Sequence, residues 1–171
     1  MLKILIAIDG SDLALDAVRY ALRLAQNGLQ ISSVVLANVQ EPASLYELVT
    51  TRDPELIAAA SIEAGEHLIA PARALLEATG LECESAVGVG DPAHTLVDII
   101  ETAGCDLVLI GARGQGAISS ALLGSVSQEL AHASPVPVTI VRHVEALSAD
   151  EAGDVLDADG QDGGAAGSAG D

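Results

Sequence analysis

Five short strand-like runs, separated from one another mostly by stretches of helical spacing, constrain the fold of this chain more than any other feature. The first, Leu2 to Ile8, is apolar at every position except Lys3. A strand with one wet face alternates polar and apolar residues, whereas a continuous run fits a strand covered on both faces. Asp9-Gly10-Ser11 breaks the run. From Asp12 to Gln26 the period changes: Asp12, Asp16, Arg19, Arg23 and Gln26 fall on one helical face, and Leu13, Ala17, Tyr20, Ala21 and Leu24 on the other. Asn27-Gly28 is a suitable stop.

The pattern then repeats. Ile31 to Val39 reads as a second strand, and Glu41 to Arg52 as a loop with a helical turn. A long helix is expected from Pro54 to about Thr79, with Pro71 kinking or dividing it, because proline lacks the N–H that bonds back one turn. Glu82 to Gly88 reads as strand three. Asp91-Pro92 marks a helix start, running to Ala103 before Gly104. Asp106 to Ile110, a helix from Ser125 to Ala133, and Pro137 to Arg142 complete the series. Strands alternating with helices imply right-handed crossovers and an open, five-stranded, mainly parallel sheet with helices on both faces.

Two domain-level segments are expected: a body over 1–144 and an acidic, Gly/Ala/Asp-rich tail over 145–171. The tail offers only Leu147, Val155 and Leu156 for burial, too little to offset its ordering entropy, so it is expected to be disordered. The whole chain carries 25 acidic and 7 basic residues, a net charge of −18, and the body alone is strongly acidic. Such a surface repels phosphate backbones and anionic lipid, which argues against nucleic-acid and membrane partners. It suits a high-salt cytoplasm and ordinary solubility equally well. With no Phe or Trp and only Tyr20 and Tyr46, the chain also lacks stacking platforms for single strands. The N-terminus has neither a signal-peptide pattern nor transmembrane length, and a cytoplasmic location is expected.

The segment from Gly111 to Ser125 carries the chemistry. Gly111 ends a buried strand, Gly114 follows, and Gly124-Ser125 stands at a helix start. Glycine permits positive φ and lets an anion approach the backbone without an intervening Cβ. The first N–H groups of a helix point outward, and its dipole favours negative charge. Ser125 adds a hydroxyl. Strand, glycine turn and helix start together make an anion cradle.

This spacing resembles the ATP-binding pattern of the universal stress protein family: glycine, two residues, glycine, nine residues, glycine, then serine or threonine. The resemblance runs from Lys3 to about Arg142 and includes Ile8-Asp9-Gly10-Ser11, Ala37-Asn38-Val39, Asp106-Leu107 and Pro135-Val136-Pro137-Val138. It implies a Rossmann-like sheet in the order 3-2-1-4-5. Strand order then reverses between strands one and four, whose carboxyl ends open a crevice with Asp9 on one side and Gly111 on the other. It further implies that Asp9 meets the base or ribose and Val39 the adenine, with Gly111, Gly114, Gly124, Ser125 and Val126 holding ribose and phosphates.

Alternatives stand beside these roles. Asp9 also reads as a turn residue bonding locally, and Ser11 as an N-cap rather than a ligand. Arg113 either reaches a phosphate or solvates an acidic surface. Gly88-Val89-Gly90 reads as a turn, not a dinucleotide fingerprint. Cys83 and Cys105 read as small buried hydrophobes. His67, His94, His132 and His143 have no Cys or carboxylate at ligand spacing and read as solvated or satisfied, so no metal site is expected. No Gly-Lys-Ser/Thr phosphate loop occurs and spacing along the chain reveals no nucleophile–base pair, so no catalytic residue is assigned and ATP hydrolysis, if any, is expected to be weak.

The reading is a cytoplasmic stress-response protein that binds ATP, with or without Mg. The alternatives are action through protein partners without nucleotide, and a slow ATPase. The family also implies a homodimer through the last strand, Pro137 to Arg142, since an aliphatic sheet edge favours pairing.

Overall fold

A computed structural model describes residues 1–42, 53–114 and 123–142; the side chain of Pro54 is outside this description. The expected loop over 41–52, the tail over 145–171 and His143 therefore fall wholly or mostly outside the described residues.

The elements follow in the order β1 (Leu2–Ala7), α1 (Asp12–Gln26), β2 (Ile31–Gln40), α2 (Pro54–Glu77), β3 (Cys83–Val89), α3 (Pro92–Ala103), β4 (Leu107–Gly111), α4 (Ser125–Ala133) and β5 (Val138–Val141). The strands form one sheet in the order β3-β2-β1-β4-β5. All four pairings are parallel, with Ile4 beside Val34 on one side and Leu107 on the other.

The continuous apolar runs are explained by two cores, one on each face. Ile4, Ile6 and Ile8 of the β1 segment, Val34 and Leu36 of β2, and Leu109 of β4 face α1 and α2, where Ala14, Ala17, Val18, Ala21, Ile69, Ala72 and Leu76 meet them. The intervening Leu5, Val35, Ala37, Val108 and Ile110 face Leu96 and Ile100 of α3 and Leu130 of α4. Side chains alternate across a strand, so a run apolar at every position supplies both faces at once.

Three local expectations are refined. Of the expected apolar face of α1, Ala17 and Ala21 are buried and are joined by Ala14 and Val18, whereas Leu13, Tyr20 and Leu24 are only partly buried. Alanines let the helix lie close to the sheet, and Tyr20 stays at the edge with the Arg23 guanidinium 5.0 Å from its ring centre. Of the two outcomes expected at Pro71, division is ruled out, since α2 runs through it as one element. Pro71 is exposed, and Ile69, Ala72 and Leu76 anchor both sides of it in the core. Gly88 and Val89 belong to β3, leaving Gly90 alone, at φ 151°, to make the bend. Gly88 is needed for packing, since a Cβ there would stand 2.3 Å from Thr95 Cγ2.

The helix boundaries behave as the sequence indicates. Ser11 Oγ accepts from the Ala14 N–H, and Asp91 caps α3 ahead of Pro92. Gly104 closes α3 in the left-handed region at φ 66°, where a side chain is disfavoured.

Candidate functional site

The chain proceeds outward from β1 through β2 to β3, then returns to place β4 on the other side of β1. Helices leaving neighbouring strands β1 and β4 therefore depart to opposite faces, and a crevice opens at their carboxyl ends. A cavity of about 500 Å³ lies there. All eight residues singled out from the sequence line it: Asp9, Val39, Gly111, Arg113, Gly114, Gly124, Ser125 and Val126. They come from the turn after β1, from β2, and from the end of β4 and the start of α4 with the residues beside them, so proximity in the sequence accounts for the third group but not for its meeting with Asp9 and Val39.

Two buried polar side chains, which the sequence did not mark as structural, hold the rim. Asn38 Nδ2 donates to the Ile8 carbonyl at 2.7 Å, and its Oδ1 accepts from Gln40 Nε2 at 2.6 Å. The residue after Ile8 is Asp9, so Asn38 fixes the strand end that presents the carboxylate. Ser127 Oγ donates to the Gly111 carbonyl at 2.8 Å, tying the first turn of α4 to the end of β4. Among the described residues these are the two buried polar or charged side chains. A buried polar group in an aliphatic protein is a signal in itself: it persists only where it is bonded.

Asp9 makes the local turn that was one of its two expected roles, and it also lines the cavity. Its Oδ1 accepts from the Ser11 N–H at 3.0 Å and from Ser11 Oγ at 2.6 Å. The turn thus aims the carboxylate. A carboxylate repels phosphate oxygens and accepts from hydroxyl or amino groups, so Asp9 suits a ribose or base better than a phosphate.

The three glycines serve a purpose other than positive φ. None of Gly111, Gly114 or Gly124 is in the left-handed region. Each instead sits where a Cβ has little or no room: 2.5 Å from Asp9 Oδ2 at Gly114, 3.0 Å from Leu13 Cβ at Gly111, and 3.3 Å from Arg113 Cα at Gly124. Gly111 lets α1 approach β4, Gly114 lets the loop approach Asp9, and Gly124 lets α4 begin against the same loop. Gly124 is the N-cap of α4 and has no side chain to cap it, so the first N–H groups of that helix open toward the crevice without a side-chain cap. Its own N–H bonds the Ala112 carbonyl at 2.8 Å.

One histidine departs from expectation. His94 Nδ1 lies 2.8 Å from Asp91 Oδ1 and 3.9 Å from Glu129 Oε1, so it has carboxylates at ligand spacing after all. The sequence separation of three across a first helical turn was the available signal for Asp91; Glu129 arrives only by tertiary packing. The hydrogen bond to Asp91 raises the His94 pKa, and the backbone and side-chain bonds from His94 lower that of Asp91. Cys105 is buried, which pushes its thiol up and keeps it a packing residue.

The model of the universal stress protein family matches residues 1–142 of this chain. The chain belongs to that family. It is 31% identical over 145 residues to universal stress protein YxiE of Bacillus subtilis, covering 82% of this chain and 98% of that protein. Among solved structures, MJ0577 of Methanocaldococcus jannaschii superposes with a TM-score of 0.68 at 26% identity, over 85% of this chain and 98% of that one. A universal stress protein in complex with cAMP superposes with a TM-score of 0.56 at 26% identity, over 82% of this chain and 95% of that one. The five-stranded order 3-2-1-4-5 with helices on both faces is the fold these neighbours share.

Proposed function

We propose that this universal stress protein binds an adenine nucleotide, ATP in particular, in the crevice between β1 and β4. The observation that carries the reading is the convergence of all eight sequence-marked residues on one cavity of about 500 Å³, a volume within the range of small-molecule sites. The phosphates are assigned to the uncapped start of α4, with Gly114, Gly124, Ser125 and Arg113 around them. The base and ribose are assigned to the other end, against Val39 and Asp9. The relative in complex with cAMP supports an adenine nucleotide as the ligand class.

The donor set also fits a magnesium ion carried by the phosphates. The phosphates themselves would supply its ligands, and the ion would supply charge neutralisation to them. The chain's own residues then bind and orient: backbone N–H groups meet phosphate oxygens, and Asp9, held by Ser11, accepts from ribose or base. Backbone amides stabilise charge but abstract no proton, so the site is assigned to retention of nucleotide with hydrolysis slow or absent. The biological role is cytoplasmic stress signalling in which occupancy is read by a partner, with the chain acting as a homodimer through the edge strand β5.

Isothermal titration of the full chain with ATP, AMP and GTP tests the reading. One ATP per chain, bound more tightly than GTP, is the expected result. An absence of binding heat for any of the three would favour the alternative, a stress protein acting through protein contacts alone.

A further inference from the structure

Outside the crevice, α3 and α4 bring together a second set of side chains. Asp91 caps α3, His94 stands on its first turn, and Glu129 projects from α4. One ligand atom from each of the three lies within 4.8 Å of the other two. Ligands bound to one ion at 2.0–2.2 Å in a tetrahedral arrangement stand about 3.4 Å apart. The closest pair here is separated by 2.8 Å and the His94–Glu129 pair by 3.9 Å, so rotation of exposed side chains closes the difference. Asp91 is held in place because its Oδ1 accepts from the His94 N–H at 3.0 Å.

Helix capping accounts for Asp91, and an i, i+3 pair accounts for His94. Neither accounts for Glu129, which reaches the same point from a different helix. We propose that Asp91, His94 and Glu129 form a binding site for one divalent transition-metal ion of the zinc class, with its remaining positions taken by water. An imidazole nitrogen with two carboxylates suits such an ion, whereas magnesium and calcium prefer all-oxygen shells. Two carboxylates balance its charge, and the acidic surface of a chain at −18 raises the local cation concentration.

The ion would cross-link α3 to α4. Those helices carry Pro92, Leu96, Ser125 and Val126 of the crevice wall, so the site braces one side of the cavity without entering it. It does not depend on which ligand the crevice takes.

The test is calorimetric titration of the EDTA-stripped full chain with zinc chloride, in parallel with His94→Ala and Glu129→Gln. Both side chains are at least half exposed, so the variants should retain the wild-type circular dichroism spectrum. Expected are one saturable zinc per chain, a loss of affinity of about tenfold or more in each variant, and no competition from excess magnesium chloride. Zinc at a fixed concentration should also raise the melting temperature of the wild type by more than that of either variant. The proposal is overturned if the wild type shows no saturable zinc binding, or if either variant retains the wild-type isotherm, which would place the ion on other residues.

Discussion

Gly114→Ala isolates the role of close approach in the crevice. The added Cβ would lie 2.5 Å from Asp9 Oδ2, against an ordinary contact of 3.4 Å or more. Relief to an ordinary contact requires a displacement of about 0.9 Å. The Asp9 carboxylate is not loose, because Ser11 holds its Oδ1 through two bonds of 3.0 and 2.6 Å. Swinging the carboxylate away sacrifices a hydrogen bond to a charged group, on the order of 1.5–3 kcal/mol. Moving the loop instead spoils the cradle by a similar amount. Either route corresponds to about ten- to a hundredfold weaker nucleotide binding.

Gly114 is exposed and its φ is ordinary, so stability should fall by no more than the one lost Asp9–Ser11 bond is worth, about 1.5–3 kcal/mol. The assay is ATP affinity by calorimetry together with urea denaturation, on the wild type, Gly114→Ala, Asp9→Ala and the double variant. With the Asp9 side chain removed, the second substitution should add almost nothing, giving a clear coupling energy. An ATP affinity within twofold of wild type in Gly114→Ala would refute the reasoning. So would strictly additive losses in the double variant.

Ser127→Ala removes the tie to the Gly111 carbonyl and should cost about 1 kcal/mol in urea denaturation while weakening ATP binding. Asn38→Leu strips the Ile8 carbonyl of its side-chain donor in a buried place, for about 1–3 kcal/mol of stability and a loss of affinity through the Asp9 turn. Gly104→Ala supplies the contrast: its φ of 66° with open space around it implies a stability cost of about 1–2 kcal/mol and unchanged affinity. His94, followed by NMR in EDTA, should titrate above 6.5 because Asp91 stabilises its charged form. A raised histidine pKa stabilises the fold fully below 6.5, and that contribution is lost as pH rises through the folded value. Asp91, lowered from 3.8, contributes above that value and loses it as pH falls through its folded value, so both operate between about pH 4 and 6.5. Asp91→Asn should bring His94 back toward its ordinary value.

The layered fold was readable because it depends on local patterns. Leu2 to Ile8 announces a doubly covered strand, and Ser11, Asp91-Pro92 and Gly104 mark helix ends through their own backbone chemistry. The crevice was readable only by combining the strand order implied by family resemblance with Asp9 and the glycines. What escaped is tertiary. The reason for Gly111 is Leu13 of another element, and the reason for Gly114 is Asp9. Asn38 and Ser127 look like ordinary polar residues until burial shows that each holds one side of the rim. Pro71 reads as a breaker from propensity, yet core contacts on both sides carry the helix through it. Glu129 meets His94 through the packing of α3 on α4, which no spacing along the chain encodes.

The central claim is that the crevice between β1 and β4 receives the nucleotide. Amide chemical-shift mapping of the isotopically labelled full chain, titrated with ATP, tests it most directly. The expected result is saturable movement of the Asp9, Val39, Gly114, Ser125 and Val126 resonances, with Lys3 and Asp106 at the opposite end of the sheet unmoved. Shifts confined to residues outside the crevice, or none at saturating ATP, would contradict it.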